Sequence, residues 1–531
     1  MDKILVADKL SQAGIEILQN KYEVDIKTGL SEDEICNIID NYVALLVRSQ
    51  TQVTKKILEN AHNLKVIGRA GVGIDNINLE AATEKGIIVV NAPSANTISA
   101  AEHAFGLMLS TARNIPQGNQ SLRQGKWERS NLMGIELYDK TLGLLGLGRI
   151  GAEVAKRALS FEMNVIAHDP FVSEERAKTL GVTLVDIKDL FAQSDFLSLH
   201  TALIEQTKGI VNKELLSSAK PNLIIINAAR GPLINSKDLI DALEKKTIKA
   251  AAIDVFDNEP ATDDPLTKLD EIIVTPHLGA STIEAQDRAA IVVAEEVDSV
   301  LSGGAARYAT NLPMMNEEDL AFTGEYAGAA MLAASVANQI SQGMVKEVKI
   351  DFNGQISHRD CSILRASILA GIYYQVHDVP VTIVNAEKVA EQHGLKINEV
   401  ANVDESSYVS SVGVTLISDN GNNQVVSTIS GNESRIIQVN QYAVDFSAKQ
   451  SINMLIIKNN DEPGAIGEIG TMLGKLGINI NSMYVSPPGV DNSAMMVVGI
   501  DRILDTKEIQ EILKLKQFIH SVEQADISVF N

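Results

Sequence analysis

Short apolar runs of strand length alternate with stretches of helical periodicity through the first part of the chain. Strand-like runs lie at 3–7, 23–27, 44–48, 65–68 and 87–91, with helical patterns at 11–21 and 31–41. Such alternation predicts a parallel sheet with crossover helices, here a five-stranded doubly wound unit. Near Pro93 it gives way to a long helical stretch, 97–113. Strands are then predicted at 142–147, 164–168, 196–200, 223–227, 250–254 and 272–275, an amphipathic helix at 152–161 and a closing helix at 283–301. These strands run into polar residues or glycine-rich turns, the arrangement expected where a site gathers at the carboxyl ends of a parallel sheet. From 312 to 450 a helix at 326–341 mixes with alternating strands at 347–352, 414–417, 424–429 and 435–439, and the loop 418–424 has hairpin chemistry. The stretch 451–531 reads strand (453–458), helix (466–476), strand (479–485), strand (494–499), helix (506–513), strand (519–529). That is βαββαβ, a ferredoxin-like order.

A chain of 531 residues is too long for one core, so several domains are expected. No uninterrupted apolar run reaches the ~18 residues of a membrane-crossing helix. The start, Met1 to Asp8, is broken by charge and reads as a strand rather than a targeting signal. Cys36 and Cys361 have neither a second cysteine nor a spaced histidine pair nearby, which predicts reduced thiols, no metal site and a cytoplasmic location. A net charge of −22 argues against nucleic-acid or anionic-membrane partners. An anionic substrate would need a local set of arginines working against that field.

The chemistry begins at Gly146-Leu-Gly148-Arg149-Ile150-Gly151, with Asp169 standing 18 residues beyond the last glycine. Among 36 glycines the motif alone is weak, but here it follows a predicted strand, opens a predicted helix, and the next strand ends at the acid. Gly146 allows the tight turn, Gly148 lets backbone approach a pyrophosphate, and Gly151 lets helix pack on strand. The helix N-terminus offers free N–H groups to the phosphates. Asp169 can accept from ribose hydroxyls and would repel a 2′-phosphate, so NAD is expected over NADP.

Three residues after predicted strands add a reaction. Arg230 lies in Asn227-Ala-Ala-Arg-Gly231, Glu259 precedes Pro260, and His277 lies in Thr275-Pro-His-Leu-Gly-Ala-Ser281. Alcohol oxidation needs a base for the hydroxyl proton, and histidine is the side chain suited to it. A neighbouring carboxylate fixes its tautomer, and a guanidinium holds a substrate carboxylate through two parallel bonds. Singly, each residue has a commonplace structural reading. The case rests on all three falling at strand ends of one dinucleotide unit. A second glycine-rich stretch, Gly464-Ala-Ile-Gly-Glu-Ile-Gly470, has no ribose acid after it and is expected to serve tight helix packing.

These segments, together with Val47-Arg-Ser49, Gly68-Arg-Ala-Gly-Val-Gly-Ile-Asp-Asn76 and Gly125-Lys-Trp-Glu-Arg129, resemble the D-isomer-specific 2-hydroxyacid dehydrogenases, and within them the long-form D-3-phosphoglycerate dehydrogenases. The last unit resembles an ACT domain through Asp461-Glu-Pro-Gly464 and Gly477-Ile-Asn479. The resemblance covers essentially the whole chain. It implies an α/β architecture of two doubly wound parallel-sheet lobes, a flavodoxin-like substrate lobe (1–96 plus 284–311) and a Rossmann NAD domain (97–283). An α+β intervening domain (312–450) and a ferredoxin-like ACT domain (451–531) would follow.

The implied activity is NAD-dependent oxidation of D-3-phosphoglycerate to 3-phosphohydroxypyruvate, the first step toward L-serine. By resemblance, Arg230, Glu259 and His277 are catalytic. Arg149, Ile150, Asp169, Thr201, Ala228, Asp254 and Gly279 join the three glycines around the cofactor. Arg48 and Arg69 bind substrate anions, with Arg129 reaching in from a neighbouring subunit. Trp127 would anchor that loop by packing. Asp461 and Asn479 would bind an L-serine effector between paired copies, in a homo-oligomer, tetramer or dimer. One departure is Val72, where some relatives carry a threonine, so a hydroxyl contact is absent. The rival readings are another D-2-hydroxyacid dehydrogenase, of glycerate or lactate type, and an NADH-sensing corepressor-like binding protein.

Overall fold

The computed structural model describes residues 1–304, 306–313, 315–374, 381–403, 408–431, 433–487 and 493–530. The first lobe carries strands β1 (Lys3–Val6), β2 (Glu23–Ile26), β3 (Ala44–Val47), β4 (Val66–Arg69) and β5 (Ile88–Val90), all parallel, in the order β2-β1-β3-β4-β5. This is the doubly wound order in which ligands gather beyond the carboxyl ends. Two apolar clusters cover its faces, which is why β3 is buried at every position and reads as a continuous apolar run. Helix α1 (Gln12–Gln19), capped by Ser11, lies on one face.

The chain leaves this sheet through α2 (Thr97–Ala112), followed by α3 (Ile115–Arg123). A second parallel sheet comprises β6 (Thr141–Leu145), β7 (Asn164–His168), β8 (Thr183–Leu184), β9 (Phe196–Leu199), β10 (Ile224–Asn227), β11 (Ala250–Ile253) and β12 (Ile272–Val274). Its order is β12-β11-β10-β9-β6-β7-β8, with helix α4 (Arg149–Ser160) following β6. The strand order reverses between β6 and β9, so a crevice opens at the end of β6. Helix α2 packs on α4, β10 and β11, whereas α5 (Ile283–Leu301) returns to pack on α1, β4 and β5 of the first lobe. The two crossings are pinned together by Ser99 and Thr282, whose hydroxyls lie 2.8 Å apart.

Beyond them, α6 (Ala327–Ile340) and α7 (Ser362–Tyr373) pack on each other beside a six-stranded sheet. Its strands are β13 (Val345–Gly354), β14 (Lys396–Asn402), β15 (Ser410–Ser418), β16 (Gly421–Ser430), β17 (Glu433–Val439) and β18 (Tyr442–Ser447), ordered β14-β13-β15-β16-β17-β18. The hairpin at 418–424 is tighter than expected: Ser418 pairs with Gly421, so only Asp419 and Asn420 form the turn. The last unit has β19 (Asn453–Asn460), α8 (Ala465–Lys475), β20 (Ile480–Val485), β21 (Ser493–Ile500), α9 (Thr506–Leu513) and β22 (Ile519–Asp526), with sheet order β20-β21-β19-β22. That is the ferredoxin-like arrangement.

One face of this last sheet packs on α8 and α9 through Leu455, Ile457, Ile469 and Ile512. The other face, with Met454, Ile456 and Val497, belongs to the same apolar cluster as Val336 and Ile340 of α6. The two C-terminal units therefore share a core. Among the described residues no single helix is long and apolar enough to cross a membrane.

Candidate active site

At the end of β6 the chain turns on Gly146, whose φ of 99° lies in the left-handed region. Its N–H donates to the His168 carbonyl at 3.0 Å. A Cβ there would stand 2.7 Å from the His200 carbonyl group and 2.9 Å from the Thr201 nitrogen. A Cβ on Gly151 would strike the Gly146 carbonyl oxygen. Gly148 differs: a Cβ built there meets nothing within 4 Å. The first glycine is thus demanded by the neighbouring strand end, the last by its own turn, and the middle one faces open space. Gly148 caps α4 with no side-chain acceptor on the N–H groups that follow, so those of Arg149, Ile150 and Gly151 remain for a ligand.

Asp169 sits beside the turn at the end of β7. Its Oδ2 accepts from Leu147 N at 2.8 Å and its Oδ1 from Phe171 N at 2.9 Å. The Arg149 guanidinium reaches across to the Pro93 carbonyl of the first lobe at 3.1 Å. Under the turn His200 shares a hydrogen bond with Ser198 Oγ at 2.8 Å, and burial pushes its pKa down to about 4. A cradle of backbone donors, an open approach at Gly148 and an acid at the next strand end fit the pyrophosphate and ribose of NAD.

Three further strand ends converge on the other side of the crevice. After β10, Asn227 is buried and holds its own loop, donating to the Arg230 carbonyl at 2.9 Å and accepting from Ala229 N at 3.1 Å. Gly231 lets that loop lie flush on the Phe256 backbone, which a Cβ would strike. The Arg230 guanidinium faces the first lobe, 3.5 Å from Asp75, and passes close over Gly73. After β12, His277 adopts φ 55°, a conformation held by its surroundings. Its Nδ1 lies 2.7 Å from Glu259 Oε2, which assigns the proton to Nδ1 and leaves Nε2 as the acceptor.

Asp254 supplies the surroundings. Fully buried at the end of β11, it accepts from Thr275 Oγ1 (2.6 Å), Leu278 N (2.7 Å) and Gly279 N (3.0 Å), while its backbone carbonyl accepts from His277 N (2.8 Å). His103 of α2 adds a contact to Asp254 Oδ1 at 3.0 Å. Burial raises the pKa of this carboxyl, but the donors, His103 first, outweigh it and leave a net lowering. Asp254 thus organises the turn that presents His277, and Gly279 and Ala228 lie together beside it. Nothing in the spacing of His103 marks it; it lies on a helix whose buried face is mostly apolar, with Ser99 and Thr111 as the other polar residues there.

Facing Arg230 from the first lobe are Arg48 after β3 and Arg69 at the end of β4. Arg69 folds over Gly71 and is mostly buried. Burial, then the positive charges of Arg230 and Arg48, push its pKa down to about 10, and its Nε has no hydrogen-bond partner among the described residues. Three cations from the two lobes therefore crowd together in a chain of net charge −22. Arg129 is not joined to them: it lies in an exposed segment after α3, with no side-chain partner among the described residues. Trp127 is 82% exposed, so it is not packed as an anchor among the described residues.

Residues 105–279 match the family of D-isomer specific 2-hydroxyacid dehydrogenase NAD binding domains, 327–440 match the D-3-phosphoglycerate dehydrogenase intervening domain, and 453–517 match the ACT domain. The D-3-phosphoglycerate dehydrogenase of Methanocaldococcus jannaschii is 41% identical over 532 residues, covering 100% of both chains. That of Bacillus subtilis is 38% identical over 531 residues, covering 99% of this chain and 100% of its own. The chain belongs to the D-3-phosphoglycerate dehydrogenase family. It is an NAD-dependent oxidoreductase. Among solved structures, the TT0316 protein of Thermus thermophilus is similar at a TM-score of 0.54 and 32% identity, covering 58% of this chain and 99% of that one. The D-lactate dehydrogenase of Escherichia coli gives 0.53 and 28%, covering 58% and 100%.

In the ACT domain, Asp461 directly follows β19 and Asn479 directly precedes β20; both are exposed. Both strands pair antiparallel with β21, so they run in the same direction. The two residues therefore stand at opposite ends of the sheet and do not meet within one chain. β20 is an edge strand. The glycines of α8 do not serve tight packing in this chain either. The helix buries Ala465, Ile469 and Leu473 and turns Gly467, Gly470 and Gly474 outward, where a Cβ would meet nothing within 4 Å.

Proposed function

We propose that the chain oxidises D-3-phosphoglycerate at C2 to 3-phosphohydroxypyruvate, the entry step to L-serine, with the residues above in the following roles. The observation that carries the reading is the His277–Glu259 pair, on the same dinucleotide-domain sheet as Arg230, which in turn approaches Arg69 and Arg48 of the first lobe. Arg230 takes the substrate carboxylate, leaving Asp75 to do so. Arg48 and Arg69 hold the phosphate, where burial strengthens the attraction of Arg69 for an anion. His277 Nε2 then accepts the C2 hydroxyl proton as the carbonyl forms. Glu259 steadies the imidazolium through Nδ1. The backbone N–H groups of Arg149, Ile150 and Gly151 receive the pyrophosphate and Asp169 the adenosine ribose. Thr201, Ala228 and Gly279 line the groove between, and Asp254 keeps the His277 turn in place. When bound, NAD supplies the two-electron acceptor for this oxidation.

The division that goes with this reading is substrate lobe 1–96 with 284–311, NAD domain 97–283, intervening domain 312–450 and ACT domain 451–531, the last two sharing a core, in a cytoplasmic homo-oligomer. A two-fold copy paired along β20 would bring its own Asn479 toward Asp461, creating an L-serine site that one chain lacks. Arg129 would then act on a neighbouring crevice, and the exposed Trp127 would find its packing there.

The test is turnover, read as NADH absorbance, with D-3-phosphoglycerate, D-glycerate and D-lactate, each with NAD and NADP. The phosphorylated substrate and NAD should lead, NAD by at least about tenfold. In the same assay His277→Ala should lower kcat by roughly 10²–10⁴ with NADH affinity unchanged. Near-parental turnover would remove His277 from the mechanism, and absence of NADH formation with every substrate would leave only a binding protein.

A further inference from the structure

Arg48 is placed by a turn whose backbone is held from both sides by two buried side chains. Asp8, at the end of β1, is 2% exposed. Its Oδ2 accepts from Arg48 N at 2.6 Å and Thr51 N at 3.2 Å, and its Oδ1 from Thr51 Oγ1 at 2.7 Å. Asn76, in the segment after β4, is 8% exposed. Its Nδ2 donates to the Arg48 carbonyl at 2.7 Å and to the Thr51 carbonyl at 2.7 Å. Both peptide groups at the turn's two ends are therefore satisfied by side chains from other strands, while Ser49 and Gln50 between them stay exposed. A buried polar side chain is tolerated only when so paired, and pairing at both ends of a turn leaves one geometry.

Asn76 also belongs to the segment that carries the other anion contacts. Its backbone carbonyl accepts from Val53 N at 2.8 Å. Its neighbour Asp75 faces Arg230, and Asn91 Nδ2 fixes the Val72 carbonyl of the same segment at 2.6 Å. The Arg48 turn and the turn that begins at Arg69 are thereby joined through one residue.

We infer that Asp8 and Asn76 are positioning residues that set the distance between Arg48 and Arg69, and so the enzyme's preference for a phosphorylated substrate. The inference rests on the reading of Arg48 as a phosphate contact. Neither residue touches the reacting carbon, so their loss should act on KM for the phosphorylated substrate and spare kcat.

The test compares Asn76→Ala, Asn76→Asp and Arg48→Ala, alone and combined, with KM and kcat for D-3-phosphoglycerate and for D-glycerate. Asn76→Asp keeps the shape and loses the donor. Both Asn76 variants should raise KM for D-3-phosphoglycerate by about three- to tenfold, the size of one or two lost hydrogen bonds, with kcat and the D-glycerate KM within about twofold. On the Arg48→Ala background the same substitutions should add less than about twofold. Additive effects, equal losses on both substrates, or an Asn76→Asp protein with parental KM would overturn the inference. If Arg48→Ala does not itself weaken D-3-phosphoglycerate more than D-glycerate, the Arg48 assignment fails first and the clamp with it. Asp8→Asn provides a second entry to the same readout. If that protein does not fold, the Asn76 series decides alone.

Discussion

The chain contains two glycine-rich entries from strand to helix, and they obey opposite rules. At Gly146 to Gly151 the glycines are required from within: one has φ 99° and lies against the His200 carbonyl, another against the first one's oxygen. At Gly464 to Gly474 only the entry residue has a positive φ, 100°, and a Cβ on any of the three glycines along α8 would meet nothing within 4 Å beyond its own helix among the described residues. A glycine-rich entry can mean that backbone must approach backbone, or that a surface has been left bare. The difference lies in what stands opposite, which for the first turn is a neighbouring strand end and for the second is only the edge of the Phe518 ring, 4.0 Å from a Cβ on Gly464, among the described residues.

The largest expected effect breaks the first turn. Gly146→Ala combines a left-handed φ with a Cβ at 2.7 Å from main-chain atoms that cannot move aside. Overpacking and strain together cost roughly 3 kcal/mol or more, so kcat/KM for NAD should fall by about 100-fold or more. If the variant binds NADH like the parent by titration, the turn is looser than its contacts imply.

Next in size is the pH response of the residue beneath that turn. His200 titrates at about 4 in the folded chain against an ordinary value of 6.5. A depressed folded pKa contributes stability that is present above the unfolded value and lost as pH falls toward the folded one. Melting should therefore show stability declining between pH 6.5 and 4 by up to about 1.4 kcal/mol per pH unit from this residue. His200→Gln should flatten that part of the profile. An unchanged slope in the variant would assign the acid loss to other groups.

What could be read from residue order follows the same division. Both parallel sheets were legible because strands buried on two faces are continuous apolar runs, as at Leu223 to Asn227. The crevice residues were legible because chemistry-bearing types follow those runs. Helix α7 escaped because it is buried on nearly every side, with Arg365 its one charged residue, and so shows little periodicity. β14 escaped because it is an exposed edge strand of mixed polarity; β18 does alternate buried and exposed positions, a period-two signal that was present and not used. The polar residues that position the site, Asp8, Asn76 and His103, carry no spacing signal; only the fold brings them to the loops they hold. Asn227 was visible as a neighbour of a motif residue and Asp254 as an expected cofactor-groove residue, but neither as the group that fastens its loop.

A smaller effect is expected where the second glycine entry meets its proposed effector. L-serine should bind the parent protein in calorimetry and slow turnover with a coupling of about 1–3 kcal/mol. Asp461→Ala should abolish the heat while leaving uninhibited turnover intact, because Asp461 is far along the chain from the crevice and exposed. Heat retained in the variant would move the ligand elsewhere, and absence of both heat and inhibition in the parent would leave assembly as the ACT domain's role.

The smallest effect separates bare helix from covered helix. Gly470 lies in the interior of α8, where a Cβ meets nothing within 4 Å. In an isolated chain Gly470→Ala should stabilise the helix by about 0.5–1 kcal/mol, since alanine loses less conformational freedom on folding than glycine. If a second copy packs against this face, the added methyl meets that copy, and the gain is replaced by weaker assembly. Sedimentation and thermal melting together decide it. A higher melting temperature with unchanged assembly means the glycines are a free surface. A lower one with dissociation means that their spacing is read by another subunit, which would give the second entry the same rule as the first, with the opposing backbone supplied from outside the chain.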